Sequence, residues 1–195
     1  MTNNKTALNI LKTLISEGSK RGLDNVSLST IAEKLNIAKS TIFSHFKNKE
    51  DIIDNMYKYG QKISSKNKVN FSFDGNSNEV LIKVVDHWHS IYSNKVLFDF
   101  YRIVEMQKFI DERAKEISLS IDSMIVSQSR IVLEILNETD RLNIAELDLA
   151  IESFASTFIK YLKNELFLEN GDLIWEEERF VARFVKQYEK KSTSK

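Results

Sequence analysis

The stretch over residues 27–53 contains two short amphipathic segments separated by very few residues. In the first, Ile31 and Leu35 lie four residues apart, so both project from one face of a helix. Ser27 stands just before this segment and is suited to cap its N-terminus. Asn36 follows it, and Asn enters the left-handed backbone region with little strain. The pattern therefore predicts a short helix, capped by Ser27, and a reversal of the chain at Asn36.

The second segment repeats the spacing with Ile42 and Phe46. Its other face carries short or cationic side chains that form hydrogen bonds. These are Lys39, Ser40, Thr41, Ser44 and His45. Two short helices whose apolar pairs face each other, with a polar face turned outward, form a helix-turn-helix. The second helix is then the candidate for a DNA major groove.

The remainder of the chain favours helices throughout. Among 195 residues there is no proline and there are only five glycines, whereas sheet-rich folds need more turn residues. The absence of cysteine excludes a disulfide framework and thiolate metal ligands. We therefore expect an all-α fold that depends on its apolar core.

Apolar periodicity predicts the helices outside this motif. One is expected over 5–18, ended near Gly18, and a longer one from Lys49 to about Lys68, followed by a linker over 67–78. From Val80 to Tyr188 five or six helices are expected. Their breaks are predicted near Ser93, Lys115–Ser118, Asn137–Asn143 and Glu169–Asp172, with capping boxes at Asn76/Glu79 and Asn143/Glu146.

The charge is unevenly distributed along the chain. Up to Asn70 there are 12 Lys and Arg against 6 Asp and Glu, and beyond it 16 against 22. A basic N-terminal third suits contact with DNA phosphates, although chance clustering on a solvated surface would give the same counts.

The segment TIAEKLNIAKSTIFSHFKNKEDII closely resembles the DNA-binding signature of tetracycline-repressor-type (TetR) transcriptional regulators. The chain is identified as similar to that family by the Ile-Ala of the first helix, the Thr two residues before an aromatic, the His-Phe pair and the Lys-Glu before apolar residues. Three positions depart from the family pattern. Phe43 stands where the family usually has Tyr, and Ala38 stands where it often has a Ser that caps the helix. Asn36 stands where Gly is common.

The resemblance implies three functional regions. These are a helix-turn-helix DNA-binding domain over 1–48, a connecting helix over 49–68, and an effector-binding and dimerisation domain over 69–195. Double-stranded DNA with a palindromic operator is the expected partner. The residues expected at the DNA are Ser27, Ser29, Thr30, Lys39, Ser40, Thr41, Phe43, Ser44, His45 and Lys49. For His45, a plain surface position is the alternative.

The last two predicted helices carry wide apolar stripes. The first includes Leu147, Phe154 and Phe158, and the second Phe180 and Phe184. In the resembling family such helices pair with those of a second subunit, which implies a homodimer through 145–168 and 173–188. A helix wedged into the core of a monomer would show the same stripes.

The middle of the chain is rich in aromatic residues and Met. The resemblance implies that this region receives a small, apolar or aromatic effector. The residues proposed to line its site are Trp88, Tyr92, Phe98, Tyr101, Met106, Phe109, Met124 and Phe158. Ordinary core packing is the alternative for each of them.

His87 and His89 raise the question of a metal or haem site. Residues i and i+2 of a helix point about 200° apart, so the two cannot share one ion on one face. One of them could still ligate with a distant carboxylate, or hydrogen-bond to an effector. We predict no metal and no cofactor.

An enzyme is the competing class of protein. The chain has no Gly-rich phosphate loop, no Gly-x-Ser-x-Gly and no His-Glu-x-x-His, so we predict no catalytic activity. A repressor is the favoured function; a transcriptional activator or a DNA-binding protein controlled by a protein partner remain alternatives. The N-terminus has no long apolar run, since Lys12 and Ser16 interrupt it, which predicts a cytoplasmic protein without membrane insertion.

Overall fold

A computed structural model describes residues 2–65, 72–92, 94–168 and 174–189. Within these ranges the chain forms nine α-helices, a short 3₁₀ helix at Leu23–Asn25 and no strand, so the all-α prediction is confirmed. The helices are α1 Thr2–Arg21, α2 Leu28–Leu35, α3 Lys39–Phe43, α4 Lys49–Ser64, α5 Ser77–Tyr92, α6 Lys95–Gln107, α7 Glu112–Glu138, α8 Leu147–Glu165 and α9 Ile174–Tyr188.

The sequence predicts that α1 ends near Gly18, but the helix continues to Arg21. A Cβ atom at Gly18 would lie 2.8 Å from Cδ2 of Leu23 and 3.1 Å from Cδ1 of Ile103. Glycine at this position therefore allows α1 to pack closely against the side chains of Leu23 and Ile103. The helix stops at Gly22, whose φ of 85° favours glycine.

Helix α4 begins at Lys49, as predicted, because Asn48 caps it: its Oδ1 accepts a hydrogen bond from the Asp51 N–H at 2.9 Å. The predicted end of this helix near residue 68, and much of the linker over 67–78, lie outside the described residues. The predicted capping box before α5 is present. Asn76 Oδ1 accepts from the Glu79 N–H at 3.0 Å, and Glu79 Oε2 accepts from the Asn76 N–H at 2.9 Å.

The second predicted capping box is wrong. Helix α8 begins at Leu147, and the Asn143 N–H donates instead to the carbonyl oxygen of Tyr188, at 2.8 Å. The neighbouring Ile144 N–H donates to Oδ1 of Asn137, at 2.8 Å. These contacts hold the loop before α8, so the helix begins at Leu147 and not at Asn143.

The break predicted over Lys115–Ser118 is also wrong, because α7 runs through it. The chain breaks earlier, between α6 and α7, where Asp111 Oδ1 accepts from the Arg113 N–H at 2.9 Å. The breaks predicted at Ser93 and over 169–172 fall outside the described residues.

The described residues divide into two compact units, with boundaries inside α5 and α7. The N-terminal unit comprises those within Met1–Lys68 and Ile91–Ser118, and the C-terminal unit those within Val69–Ser90 and Leu119–Lys195. No helix in the described part of the chain is both long and apolar enough to cross a bilayer. The division into functional regions at 48/49 and 68/69 stays a prediction.

Each unit has its own apolar core. In the N-terminal unit α1 packs against α2, α4 and α6, around side chains that include Ile10, Leu14, Ile31, Ile42, Met56 and Phe100. In the C-terminal unit the buried indole of Trp88 lies among Phe154 and Phe158, and its Nε1–H donates to Oε1 of Gln128 at 2.7 Å.

Candidate nucleic-acid interface

Helix α2 starts where the sequence predicts. Ser27 is its N-cap, and its Oγ accepts a hydrogen bond from the Thr30 N–H at 3.0 Å. The same Oγ lies 3.0 Å from Oγ1 of Thr30, so the two hydroxyls also share a hydrogen bond. Ser27 is exposed, and Ser29 and Thr30 are half-buried. This helix start therefore presents hydroxyl groups beside its backbone N–H groups, which suits contact with a phosphate.

The turn between α2 and α3 is held by Asn36, with φ 50° and ψ 49°. The Ile37 N–H donates to the carbonyl oxygen of Ala32 at 3.0 Å, and this closes the end of α2. The predicted left-handed residue is confirmed. Ala38 begins α3 without a side-chain hydrogen bond to the helix.

Helix α3 exposes a mainly polar face. Ile42 is buried in the core of the N-terminal unit, with Phe46 just beyond the helix, and Thr41 and His45 are half-buried. Ser44 Oγ donates to the carbonyl oxygen of Thr41 at 2.7 Å. The side chains that project from the protein are Lys39, Ser40, Phe43 and Ser44. Phe43 is 53% exposed, an apolar ring on a surface otherwise suited to hydrogen bonding.

Lys49 lies at the start of α4 and holds the loop before α2. Its ammonium donates to the carbonyl oxygens of Leu23 and Asp24, at 3.0 and 3.2 Å. Lys49 therefore has a positional role that the sequence did not reveal, since its partners lie 26 and 25 residues away. An ammonium carries three N–H groups, so two carbonyls leave one for a phosphate.

Glu17 ties α1 to α2. Its carboxylate is 4% exposed and pairs with Arg21 at 2.5 Å, Lys34 at 3.5 Å and Lys20 at 3.7 Å. Burial alone would raise the pKa of this carboxyl, but the charges of Lys34, Arg21 and Lys20 outweigh it and lower the pKa. The three cations compensate one buried anion, which fixes the first helix of the motif on its support.

A second set of charges joins α4 to the start of α7. The guanidinium of Arg113 pairs with Asp111 at 2.6 Å, with Glu50 at 2.8 Å and with Asp54. The hydrogen bond to Asp111 is the largest of the effects that raise the pKa of Arg113. Because α4 follows directly on the helix-turn-helix, this network connects the DNA-binding motif with α7.

The residues predicted to line an effector site fall into both compact units. Trp88, Met124 and Phe158 belong to the C-terminal unit, and the other five to the N-terminal unit. Among these five, the rings of Tyr92 and Tyr101 meet edge to face, with centroids 5.4 Å apart, while Phe98 is half-buried.

Two members of that set lie at the surface. Phe109 is 86% exposed, in the loop before α7, and Met106 is 37% exposed, near the end of α6. The ammonium of Lys108 lies 5.2 Å from the centroid of the Phe109 ring. Both side chains therefore face solvent in the described chain, and their place in an effector site stays a prediction.

His87 and His89 have different surroundings. His87 is buried, which lowers its pKa. Both ring nitrogens of His89 lie against carboxylates, Nδ1 at 2.8 Å from Glu165 Oε2 and Nε2 at 2.6 Å from Glu177 Oε2. Among the described residues, no group of three or more His, Asp or Glu side chains is arranged to hold a metal ion.

Residues 10–56, which run from α1 into α4, match the sequence model of the family described as bacterial regulatory proteins, tetR family. No curated protein matches the chain in sequence. The matched segment contains the whole helix-turn-helix built by α2 and α3. The resemblance stated from the motif is therefore confirmed.

Solved structures share the fold over nearly the whole chain. One from Saccharomonospora viridis, described as a transcriptional regulator in complex with choline, superposes with a TM-score of 0.72 at 14% identity, covering 96% of this chain and 100% of that one. A TetR-family transcriptional regulator from Agrobacterium tumefaciens gives 0.65 at 15% identity, with coverages of 96% and 100%. NemR from E. coli in its reduced form gives 0.60 at 13%, again with 96% and 100%.

At such identities the superpositions establish the fold. Together with the match over 10–56, they show an all-α chain whose N-terminal helix-turn-helix resembles the DNA-binding domain of the tetR family. Regulators of this type are in general DNA-binding proteins without enzymatic activity.

Proposed function

We propose that the protein is a homodimeric repressor that binds a palindromic operator and leaves it when a small effector binds. The observation that carries this proposal is the exposed face of α3, where Lys39, Ser40 and Ser44 project from a helix fixed by the buried Ile42. A short helix with polar side chains on a rigid support is the arrangement that enters a major groove.

The two parts of the motif divide the work at the DNA. Lys39 and Ser40 contact base edges, since they project from the first turn of the recognition helix. Ser27, Ser29, Thr30 and Lys49 contact phosphates, which sets position without reading sequence. Thr41, Phe43, Ser44 and His45 complete the surface. The excess of cations up to residue 70 adds affinity for any duplex through counterion release.

Each chain carries one recognition helix, so a palindrome needs two chains. Half-sites about 34–36 Å apart, or a multiple of it, fix the distance between the two helices. The apolar stripes of α8 and α9 are largely used within one protomer: Ala155, Phe158 and Leu166 are all buried. We therefore assign pairing of the subunits to the outer faces of α8 and α9, where small side chains such as Ser156 and Ala182 are exposed.

The effector is proposed to bind among the aromatic side chains of the C-terminal unit, around Trp88 and Phe158. Their ring centroids lie 5.5 Å apart. The relative from Saccharomonospora viridis is described with choline bound, which supports a small-molecule site in this fold. Binding would favour one conformation of the dimer, and a coupling of roughly 1–3 kcal/mol changes the affinity for DNA about 5–150-fold.

The test is selection of duplexes from a random library by the purified full-length protein at a stated salt concentration. The proposal expects a palindrome with two half-sites. Lys39→Ala and Ser40→Ala should change the recovered bases, while Lys12→Ala, an exposed cation on α1 outside the motif, should not. Recovery of no consensus, or of a single half-site, would contradict the proposal.

The alternative with structural support is control by a protein partner. Phe109 and Ile110 are 86% and 76% exposed, side by side in the loop before α7. A large exposed apolar pair is the kind of feature that a partner covers. A protein under such control would bind its operator in the same way but would not respond to small molecules.

A further inference from the structure

Three helices of the C-terminal unit meet at one half-buried histidine. His89 on α5 lies between Glu165 on α8 and Glu177 on α9, with nitrogen-to-oxygen distances of 2.8 and 2.6 Å. The side chains of His89 and Glu165 are 25% and 36% exposed, and that of Glu177 is 3% exposed. The cluster therefore runs from the solvent, at Glu165, to the interior, at Glu177.

The cluster carries more negative than positive charge. Carboxylates only accept hydrogen bonds, so both can be satisfied only if both ring nitrogens of His89 carry protons. Burial would lower the pKa of His89, but the hydrogen bonds to Glu165 and Glu177 outweigh it and raise the pKa to about 10. One imidazolium between two carboxylates leaves a net charge of −1.

One oxygen of this cluster has no donor. Oε2 of Glu177 is held by His89, but Oε1 is buried and receives no hydrogen bond from any described residue. A buried carboxylate oxygen without a donor is unfavourable, because burial removes its water and nothing replaces it. The group that best satisfies it is a cation that carries an N–H.

Aromatic rings continue the cluster along the same helices. Tyr161 is one turn before Glu165 on α8, and Phe180 is three residues after Glu177 on α9. Both are half-buried, and both contact the buried ring of Phe158, at centroid distances of 5.9 and 5.6 Å.

Two neighbouring carboxylates of α9, one of them Glu177, act on the Tyr161 ring. Burial raises the pKa of the Tyr161 phenol first, the charges of Glu176 and Glu177 raise it further, and Arg179 partly offsets them. Aromatic faces beside a carboxylate are the surroundings that proteins use to hold ammonium groups.

We propose that Glu177, Glu165 and the rings of Tyr161 and Phe180 form the part of the effector site that receives a positively charged nitrogen. The ligand class is an amine or amidine on an aromatic or alkyl body. The charged N–H binds Oε1 of Glu177, and the body lies against Tyr161 and Phe180. This inference rests on the proposed function and specifies the chemistry of its effector.

The experiment is calorimetric titration of the full-length protein with three amines and their neutral counterparts. The probes are 2-phenylethylamine, benzamidine and octylamine, paired with 2-phenylethanol, benzamide and octanol. The proposal expects at least one charged probe to bind about tenfold more tightly than its neutral partner. Equal affinities within all three pairs, or no binding of any of the three charged probes, would overturn it.

Variants assign the effect to this cluster. Glu177→Gln should abolish the preference for charge, while Glu178→Gln, on the exposed neighbour in α9, should retain it. Tyr161→Leu leaves the carboxylates in place and should weaken charged probes about tenfold, which keeps the test available if Glu177→Gln folds poorly. Preference unchanged in both Glu177→Gln and Tyr161→Leu would overturn the site.

A separate measurement of DNA binding distinguishes a failure of this inference from a failure of the proposed function. Fluorescence anisotropy of the selected operator is followed while a probe that binds is added. Release that Glu177→Gln abolishes supports both. Binding that depends on Glu177 but leaves the DNA complex intact supports the amine site and contradicts effector-controlled release. Release that is unchanged in Glu177→Gln contradicts the amine site alone.

Discussion

The guanidinium of Arg113, at the start of α7, lies over the ring of Tyr57 on α4, with Cζ 5.1 Å from the ring centroid. The same guanidinium pairs with Glu50 and Asp54, two turns and one turn before Tyr57 on α4. The carboxylates of α4 thus hold the guanidinium over an aromatic ring of the same helix. Since α4 begins directly after the helix-turn-helix, this contact links the start of α7 to the helix that follows the DNA-binding motif.

Replacing Arg113 by Ala should lower the free energy of unfolding by roughly 1–2 kcal/mol, because an aromatic contact and a network of charges are lost together. Urea denaturation measures the change. Arg130→Ala is the matched control, since Arg130 pairs with Glu134 at 3.4 Å and Asp148 at 2.9 Å on the protein surface. Arg113→Ala should also reduce the affinity for the operator. Equal effects of the two substitutions on both measurements would show that Arg113 is an ordinary surface arginine.

The helix-turn-helix was predictable because its signals are local. Ser27 caps α2 from three residues away, and Asn36 forms the turn by its own backbone angles. The contacts that the sequence did not reveal join residues that are distant along the chain. Arg113 meets Asp54 across 59 residues, and Asn143 donates to the carbonyl of Tyr188 instead of capping its own helix.

In the candidate site, too, local features were predictable from the sequence and tertiary contacts were not. The polar face of α3 follows from helical spacing, whereas the position of Lys49 against the carbonyls of Leu23 and Asp24 depends on the tertiary fold. The aromatic residues in the middle of the chain give a pattern that core and surface positions share, so Phe158 is buried and Phe109 exposed without a difference that their spacing reveals.

Gly60→Ala should separate α4 from α6. A Cβ atom on this buried helical glycine would overlap the ring of Phe100. We expect the free energy of unfolding to fall by roughly 1–3 kcal/mol, as for other overpacked cores. In Gly60→Ala combined with Phe100→Leu the two losses should be less than additive, because the smaller side chain makes room. Strict additivity in denaturation experiments would contradict the close approach of the two helices.

Lys49→Ala should weaken binding to every duplex and lower the slope of log K against log salt by about 1, because one phosphate contact is lost. It should also reduce the free energy of unfolding, since the carbonyls of Leu23 and Asp24 lose their donor. The exposed Lys47 offers a control cation nearby that does not bind these carbonyls. Reduced affinity with an unchanged slope would restrict Lys49 to holding the loop.

Phe43→Tyr should strengthen binding to DNA. The ring is 53% exposed on α3, so a hydroxyl at its tip can reach the duplex without disturbing the core. One additional hydrogen bond to a phosphate is worth roughly 0.5–1.5 kcal/mol, up to about tenfold in affinity. The gain should be similar on the operator and on unrelated duplexes, as anisotropy titrations with both would show. A gain restricted to the operator would place Phe43 against a base instead.

Stability should depend on pH through His89. The pKa of this group is raised to about 10 in the folded protein, above the ordinary value of 6.5, so the stabilisation is complete below about pH 6.5 and is lost as the pH rises toward 10. We expect the free energy of unfolding of the wild type to fall by roughly 2–4 kcal/mol over that interval, relative to His89→Gln, which cannot gain the proton. Urea denaturation at pH 6, 8 and 10 measures the difference, and His45→Gln should keep the wild-type dependence. Parallel curves for the wild type and His89→Gln would contradict a charged imidazole at this position in the folded protein.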